Sequence, residues 1–210
     1  TKSQDESVGL ALVAALNDSK VRAAIRTEQV KPILDKYPAK VREEAAKLYA
    51  ILDAEIAKQR EKLEALIKEL PTGDVGRGHK VFNGVKAACA ACHKIGYVGG
   101  VVGPDLTRIG SIRTERDLLE SIVFPSLSFV RSYEPVRVDT LDGRQFNGIL
   151  KKDAPDEIVL VVDATKEERI ARDNIESFKP GTVSVMPAGL DQQLTKQDLA
   201  DLVAFLRAAK

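Results

Sequence analysis

Apolar residues recur at helical spacing through residues 1–70. Ser7 to Asn17 is a short apolar stretch, Ser19 stands where it would cap Lys20 to Arg26, and Glu28 to Tyr37 makes a third short segment around Pro32. Pro38 then opens a longer pattern at a position where a first helical turn tolerates proline. Val41, Ala45, Leu48, Leu52, Ile56, Leu63, Leu66 and Leu70 line one face, and neither Gly nor Pro interrupts them before Pro71. This spacing predicts one amphipathic helix of about 45 Å at ~1.5 Å per residue.

Pro71-Thr72-Gly73-Asp74 breaks the pattern, and a short helix is predicted from Val75 to about Gly84. Gly96 to Gly110 is glycine-rich and reads as irregular. Thr114 starts a helix carrying Leu118, Leu119, Ile122 and Val123, and Pro125 ends it. The period then changes to two. Tyr133 to Leu141 alternates, Asp142-Gly143 is a hairpin turn, and Gln145 to Lys151 answers it. Glu157 to Asp163 reads as a third strand and Arg169 to Ile175 as a fourth, a small meander that curls or closes into a minimal barrel. Helical spacing returns with Leu199, Leu202, Val203 and Leu206 behind a Thr195 cap, with Asp198 near the helix start.

The 210 residues carry 44% hydrophobic and 30% charged side chains and a net charge of +1. Basic residues are scattered among acidic ones, which argues against a nucleic-acid partner. No apolar run approaches the length of a membrane span. Met186 is the only methionine, so Thr1 is not expected to be a translation start. Either a leader was removed or a longer polypeptide continues upstream.

Two cysteines occur, and they bracket the chemistry: Cys89-Ala90-Ala91-Cys92-His93. Thiols three residues apart in one helical turn can add to the two vinyl groups of a haem, and the following imidazole then lies beneath the iron as proximal ligand. A thioredoxin-like pair would ask for a βαβ setting, and zinc would need a fourth ligand that His79 alone is left to supply at a poor spacing. The second axial position has two candidates. Met186 sits before the stiffening Pro187, whereas His79 precedes Phe82 on the short helix before the motif. Phe82 is expected beside the haem, with His79 facing elsewhere.

Gly78-His79-Lys80-Val81-Phe82, the Cys-Ala-Ala-Cys-His run, Gly103-Pro104-Asp105-Leu106, Met186-Pro187 and the closing helix resemble a class I cytochrome c domain. Arg116 to Ile122, Pro125-Ser126, Asp142-Gly143 and Met186-Pro187-Ala188-Gly189-Leu190 look like the haem-binding domain family widespread in planctomycetes and verrucomicrobia. In that family the domain often ends large secreted proteins, behind a helical-repeat region and a sorbosone-dehydrogenase-like propeller. The N-terminal helices resemble the end of such a repeat array. The resemblance implies one covalent haem c on Cys89 and Cys92, with His93 and Met186 as iron ligands. It also implies a Pro104 carbonyl that accepts from the other nitrogen of His93. Arg108 and Arg113 are candidates to meet the haem propionates.

The expected fold is mainly α. It has a helical segment over 1–70, a cytochrome c-type helical domain over 71–130 and 181–210, and a β insertion over 131–180. The expected function is electron transfer, with a redox partner protein or a fused dehydrogenase domain, in the bacterial periplasm or otherwise exported. A haem sensor or peroxidase-like enzyme with a displaceable distal ligand is the alternative. No acid–base pair near the motif marks catalytic residues.

Overall fold

A computed structural model describes residues 5–18 and 25–210 of the chain. Ser19 and residues 20–24, read above as a cap and the helix behind it, lie outside the described residues. Two compact units are present, 1–64 and 65–210.

The first unit is helical. Asp5 caps α1 (Glu6–Asn17) by accepting from the Ser7 and Val8 amides at 2.8 and 3.1 Å. α2 (Thr27–Leu34) follows, and α3 (Ala39–Glu69) is the long helix that Pro38 introduces. The unit boundary falls inside α3. Val13, Ile25, Leu34, Val41, Ala45, Leu48 and Leu52 form the core. The face of α3 predicted from its apolar spacing supplies four of these residues. Gly9 lets α1 lie close to α3, since a β-carbon there would come within 2.8 Å of Val41.

In the second unit, α4 (Val75–Asn83) crosses α9 (Lys196–Ala208) with backbones nearly touching. A β-carbon on Gly78 would run into the Asp201 carbonyl and sit 2.7 Å from Phe205 Cβ, and one on Gly73 would meet Ala204 Cβ at 2.8 Å. Asp201 is buried at this crossing. It accepts from the Asp74 amide at 2.7 Å, from Arg77 at 2.6 and 2.8 Å, and from Gln197 at 2.9 Å. These bonds hold its carboxyl down at about 2, with Arg77 the largest cause. α7 (Glu115–Val123) begins with a Thr114–Asp117 capping box and buries Leu118, Leu119, Ile122 and Val123. The single turn α6 (Ile109–Ile112) is pinned to the end of α9, where Gly110 donates to the Ala209 carbonyl at 2.8 Å and Arg207 donates to the Gly110 and Arg113 carbonyls.

Between α7 and α9 the chain builds one antiparallel sheet of five strands. They are β3 (Pro135–Thr140), β4 (Gln145–Asp153), β5 (Glu157–Val161), β6 (Glu167–Ala171) and β7 (Ile175–Pro180), in the spatial order β6-β5-β4-β3-β7. Val138, Ile158, Leu160 and Ile170 form its core, with Val136, Phe146, Leu150, Val162 and Ile175 packed around them. Val159 and Val161 are buried as well, so β5 is covered on both faces. β6 and β7 lie at opposite edges yet are joined by one 3-10 turn, Arg172–Asn174. Three residues reach roughly 10 Å at full extension, so the sheet must roll until its edges approach. The Gly181 amide donates to the Pro135 carbonyl at 2.7 Å, closing the sheet where it began.

The described residues are 48% helix and 18% strand, which overturns the mainly α expectation: the protein mixes helices with a substantial sheet. The reason lies in the last two strands. Arg169 to Ile175, read as one strand, is cut by the 3-10 turn, and the chain continues as β7 to Pro180. β7 is mostly exposed and carries few apolar side chains, so alternation did not announce it. The segment read as irregular also has structure, because Lys94–Ile95 (β1) pairs with Val98–Gly99 (β2) before α6.

Candidate functional site

The motif is one helical turn, α5 (Cys89–Cys92), entered through Ala88 in the left-handed region at φ 49°. The His93 amide donates to the Cys89 carbonyl at 2.9 Å and the chain then becomes extended. Residues i and i+3 of such a turn share a face, so both sulfurs are presented to one side. Both thiols are free and half-buried. Burial pushes the Cys89 thiol up to about 11. It raises the Cys92 thiol too, with the Asp163 carboxylate after β5 adding to the effect. Both sulfurs therefore keep their protons near neutral pH.

His93 Nδ1 lies 2.8 Å from the Pro104 carbonyl oxygen. A carbonyl can only accept, so Nδ1 carries the hydrogen and the Nε2 lone pair of the neutral ring is left for another partner. Burial lowers the His93 pKa, against the Pro104 bond that raises it, which favours this neutral form. Glycines bring the next loop onto the motif. A β-carbon on Gly103 would come within 2.7 Å of His93 Nδ1 and 2.9 Å of Nε2, and one on Gly100 within 3.1 Å of the Cys92 α-carbon. The Gly100 and Gly103 amides donate to the Ala90 and Cys92 carbonyls, each at 2.8 Å.

Beside this loop is a cavity of 520 Å³ lined by Gly96, Tyr97, Asp105, Thr107, Arg108 and Ile112. Val85, Tyr97, Val98, Val101 and Ile112 are all large, apolar and 70% to 105% exposed. Among the described residues, no three His, Cys, Asp or Glu side chains come together as a metal-holding group. Cys89, Cys92 and His93 thus do not converge as a zinc cluster would. Two protonated thiols on one helical face, an imidazole with a free Nε2 and an outward apolar surface do fit a covalently held haem.

The other predicted residues lie on several elements. Phe82 is buried in the α4–α9 crossing with its ring 5.4 Å from that of Phe205, where it serves helix packing. His79 is exposed and stands edge-on to the same Phe205 ring, also at 5.4 Å. Met186 is half-exposed in the loop before α8 (Leu190–Gln193). Its amide donates to Ser184 Oγ at 3.1 Å, and the Ser184 amide donates to Ser126 Oγ at 3.0 Å, so the methionine loop is tied to the segment just after α7. Arg108 faces the cavity, whereas the Arg113 guanidinium acts on Asp117.

The reading of the sequence missed the glycines that close on His93 and the Asp105–Thr107 turn beside it. Thr107 donates its amide to Asp105 Oδ1 at 2.8 Å. An Asp two residues before a Thr in a polar loop is a recognisable signal for such a turn. Comparison with family models and with curated proteins found no match to this chain.

Proposed function

We propose that the chain is a c-type cytochrome module that carries one haem c and transfers electrons. The observation that carries this reading is the Cys89-Ala90-Ala91-Cys92-His93 turn, with His93 Nδ1 bonded to the Pro104 carbonyl and Nε2 left free. Each thiol would add across a vinyl group. Cys89 and Cys92 would each supply the sulfur of a new carbon–sulfur bond and the proton for the other vinyl carbon, an addition that would need no oxidant. His93 would then ligate the iron through Nε2 while Pro104 holds the ring and raises its basicity. Met186 is the proposed distal ligand, since a thioether both fills the position and favours the reduced state. Bound in this way, haem supplies a one-electron couple. The apolar side chains of residues 97–112 would shield part of it from water.

The partner on this reading is a redox protein or a dehydrogenase domain of the same polypeptide. The location is outside the cytoplasm, where thioether attachment occurs. No helix among the described residues is long and apolar enough to cross a membrane. Mass spectrometry of the denatured chain from a host competent in cytochrome maturation should show polypeptide plus one haem. Haem extractable into acidic acetone would refute covalent attachment. Met186→Ala should admit exogenous ligands to the iron and lower the reduction potential. An unchanged ferric spectrum would move the distal role to another residue.

A further inference from the structure

We propose that Asp105 is a positioning residue for the His93 ring, acting through the Pro104 carbonyl; the proposal rests on the haem reading above. The Pro104 carbonyl belongs to the planar peptide unit that ends at the Asp105 nitrogen and α-carbon. Proline's own φ is locked by its ring. The aim of the carbonyl therefore depends on how the chain is held just before and just after that unit.

Before it, the Gly103 amide is bonded to the Cys92 carbonyl at 2.8 Å. After it, Asp105 organises the chain. Its Oδ1 accepts from the Thr107 amide at 2.8 Å and from the Thr107 hydroxyl at 2.5 Å, and its Oδ2 lies 3.1 Å from Lys94 Nζ. Thr107 Oγ1 accepts in turn from the Gly96 amide at 2.8 Å, and the Leu106 amide donates to the Lys94 carbonyl at 2.8 Å. The carboxylate thus closes the 105–107 turn, reaches Lys94 on the strand that leaves His93, and fixes the Thr107 hydroxyl that accepts from Gly96, beside the Leu106–Lys94 backbone bond. The Thr107 bonds, and then Lys94, hold the carboxyl at about 2, so it stays an acceptor at any physiological pH.

Without the turn, the peptide after Pro104 can swing and the bond from His93 Nδ1 lengthens. The ring then donates less to the iron, and the reduction potential rises. Asp105→Asn keeps an oxygen acceptor for Thr107 and loses only the charge toward Lys94, whereas Asp105→Ala loses the turn. The test uses the haem-loaded full chain, after mass spectrometry has shown whether the wild type carries haem. A haem-free wild type overturns the haem reading and the proposal with it, whereas a haem-loaded wild type whose variants behave alike overturns the proposal alone.

In the reduced, nitrogen-15-labelled protein, the His93 Nδ1 proton should exchange with deuterium about tenfold faster in Asp105→Ala, with a raised potential, while Asp105→Asn stays close to wild type. If Asp105→Ala does not fold, Thr107→Val, which keeps the shape but removes the hydroxyl, should shift exchange and potential the same way by less. Unchanged exchange and potential in the alanine variant, or in Thr107→Val where the alanine variant fails, overturn the proposal. So does an asparagine variant as perturbed as alanine, because charge rather than the turn would then be at work.

Discussion

The α4–α9 crossing and the loop around the motif are both built on glycine, and they use it to opposite ends. At the crossing, Gly73 and Gly78 let two helices meet through their backbones, and the apolar side chains around them go inward. In the loop, Gly100 and Gly103 let the chain close on Cys92 and His93, yet Tyr97, Val98, Val101 and Ile112 point outward. The loop is not loose, because hydrogen bonds tie it to α5 and β1 at several points. The crossing covers its apolar side chains with protein, whereas the loop, though well bonded, leaves its own uncovered; the haem proposed above would lie against them.

Substitutions at the two places should separate them. Gly78→Ala forces a β-carbon against the Asp201 carbonyl, a backbone atom that cannot yield without moving a helix. It should cost about 3 kcal/mol in chemical denaturation, and a loss within error would mean the helices are not in backbone contact. Asp201→Asn should cost about 1 kcal/mol, since Arg77 is half-exposed and water screens the pair. It should also change the pH profile. The ionised carboxylate contributes fully above its unfolded value of 3.8, and that contribution is lost as pH falls toward about 2. The asparagine variant should lose this part of the acid sensitivity, and an unaltered acid limb would place the sensitivity elsewhere.

Gly103→Ala sharpens the contrast. The three atoms nearest its new β-carbon all belong to the His93 ring, a side chain that can turn away. The expected stability cost is about 1 kcal/mol, smaller than at Gly78, while the absorption spectrum of the loaded protein changes more than in Gly78→Ala. The reverse order in the two measurements would break the comparison. Val101→Ser should have the smallest effect, within about 0.5 kcal/mol on thermal unfolding, as for an exposed residue outside any core. A larger loss would mean that the loop's apolar residues already have a protein partner.

The same two regions show what could be read from residues alone. α3, α7 and α9 follow from apolar spacing and capping residues, because helix period and caps are local properties. The motif is local too, and so is its position on one helical turn. The link between Arg77 and Asp201 spans most of the second unit and leaves no mark in either neighbourhood. Glycines that permit contact are equally silent, since the deciding factor is the atom opposite. β7 was hidden for a related reason. Its pairing with β3 is made by backbone bonds, and its exposed side chains need not alternate.

The bond between Gly181 and Pro135 has a consequence for architecture over time. The chain leaves the helical part at one point, makes five strands, and returns to the same point, so the sheet adds mass without driving α7 and α8 apart. A segment with adjacent ends can be acquired, lengthened or lost with little disturbance to its host, because a short linker closes the same gap. The Asp142-Gly143 turn at the tip of the β3–β4 hairpin would then be a natural place to open the chain anew. A permuted protein with its termini there would still need Pro135 and Gly181 side by side, and the helical elements on either side would inherit their spacing unchanged.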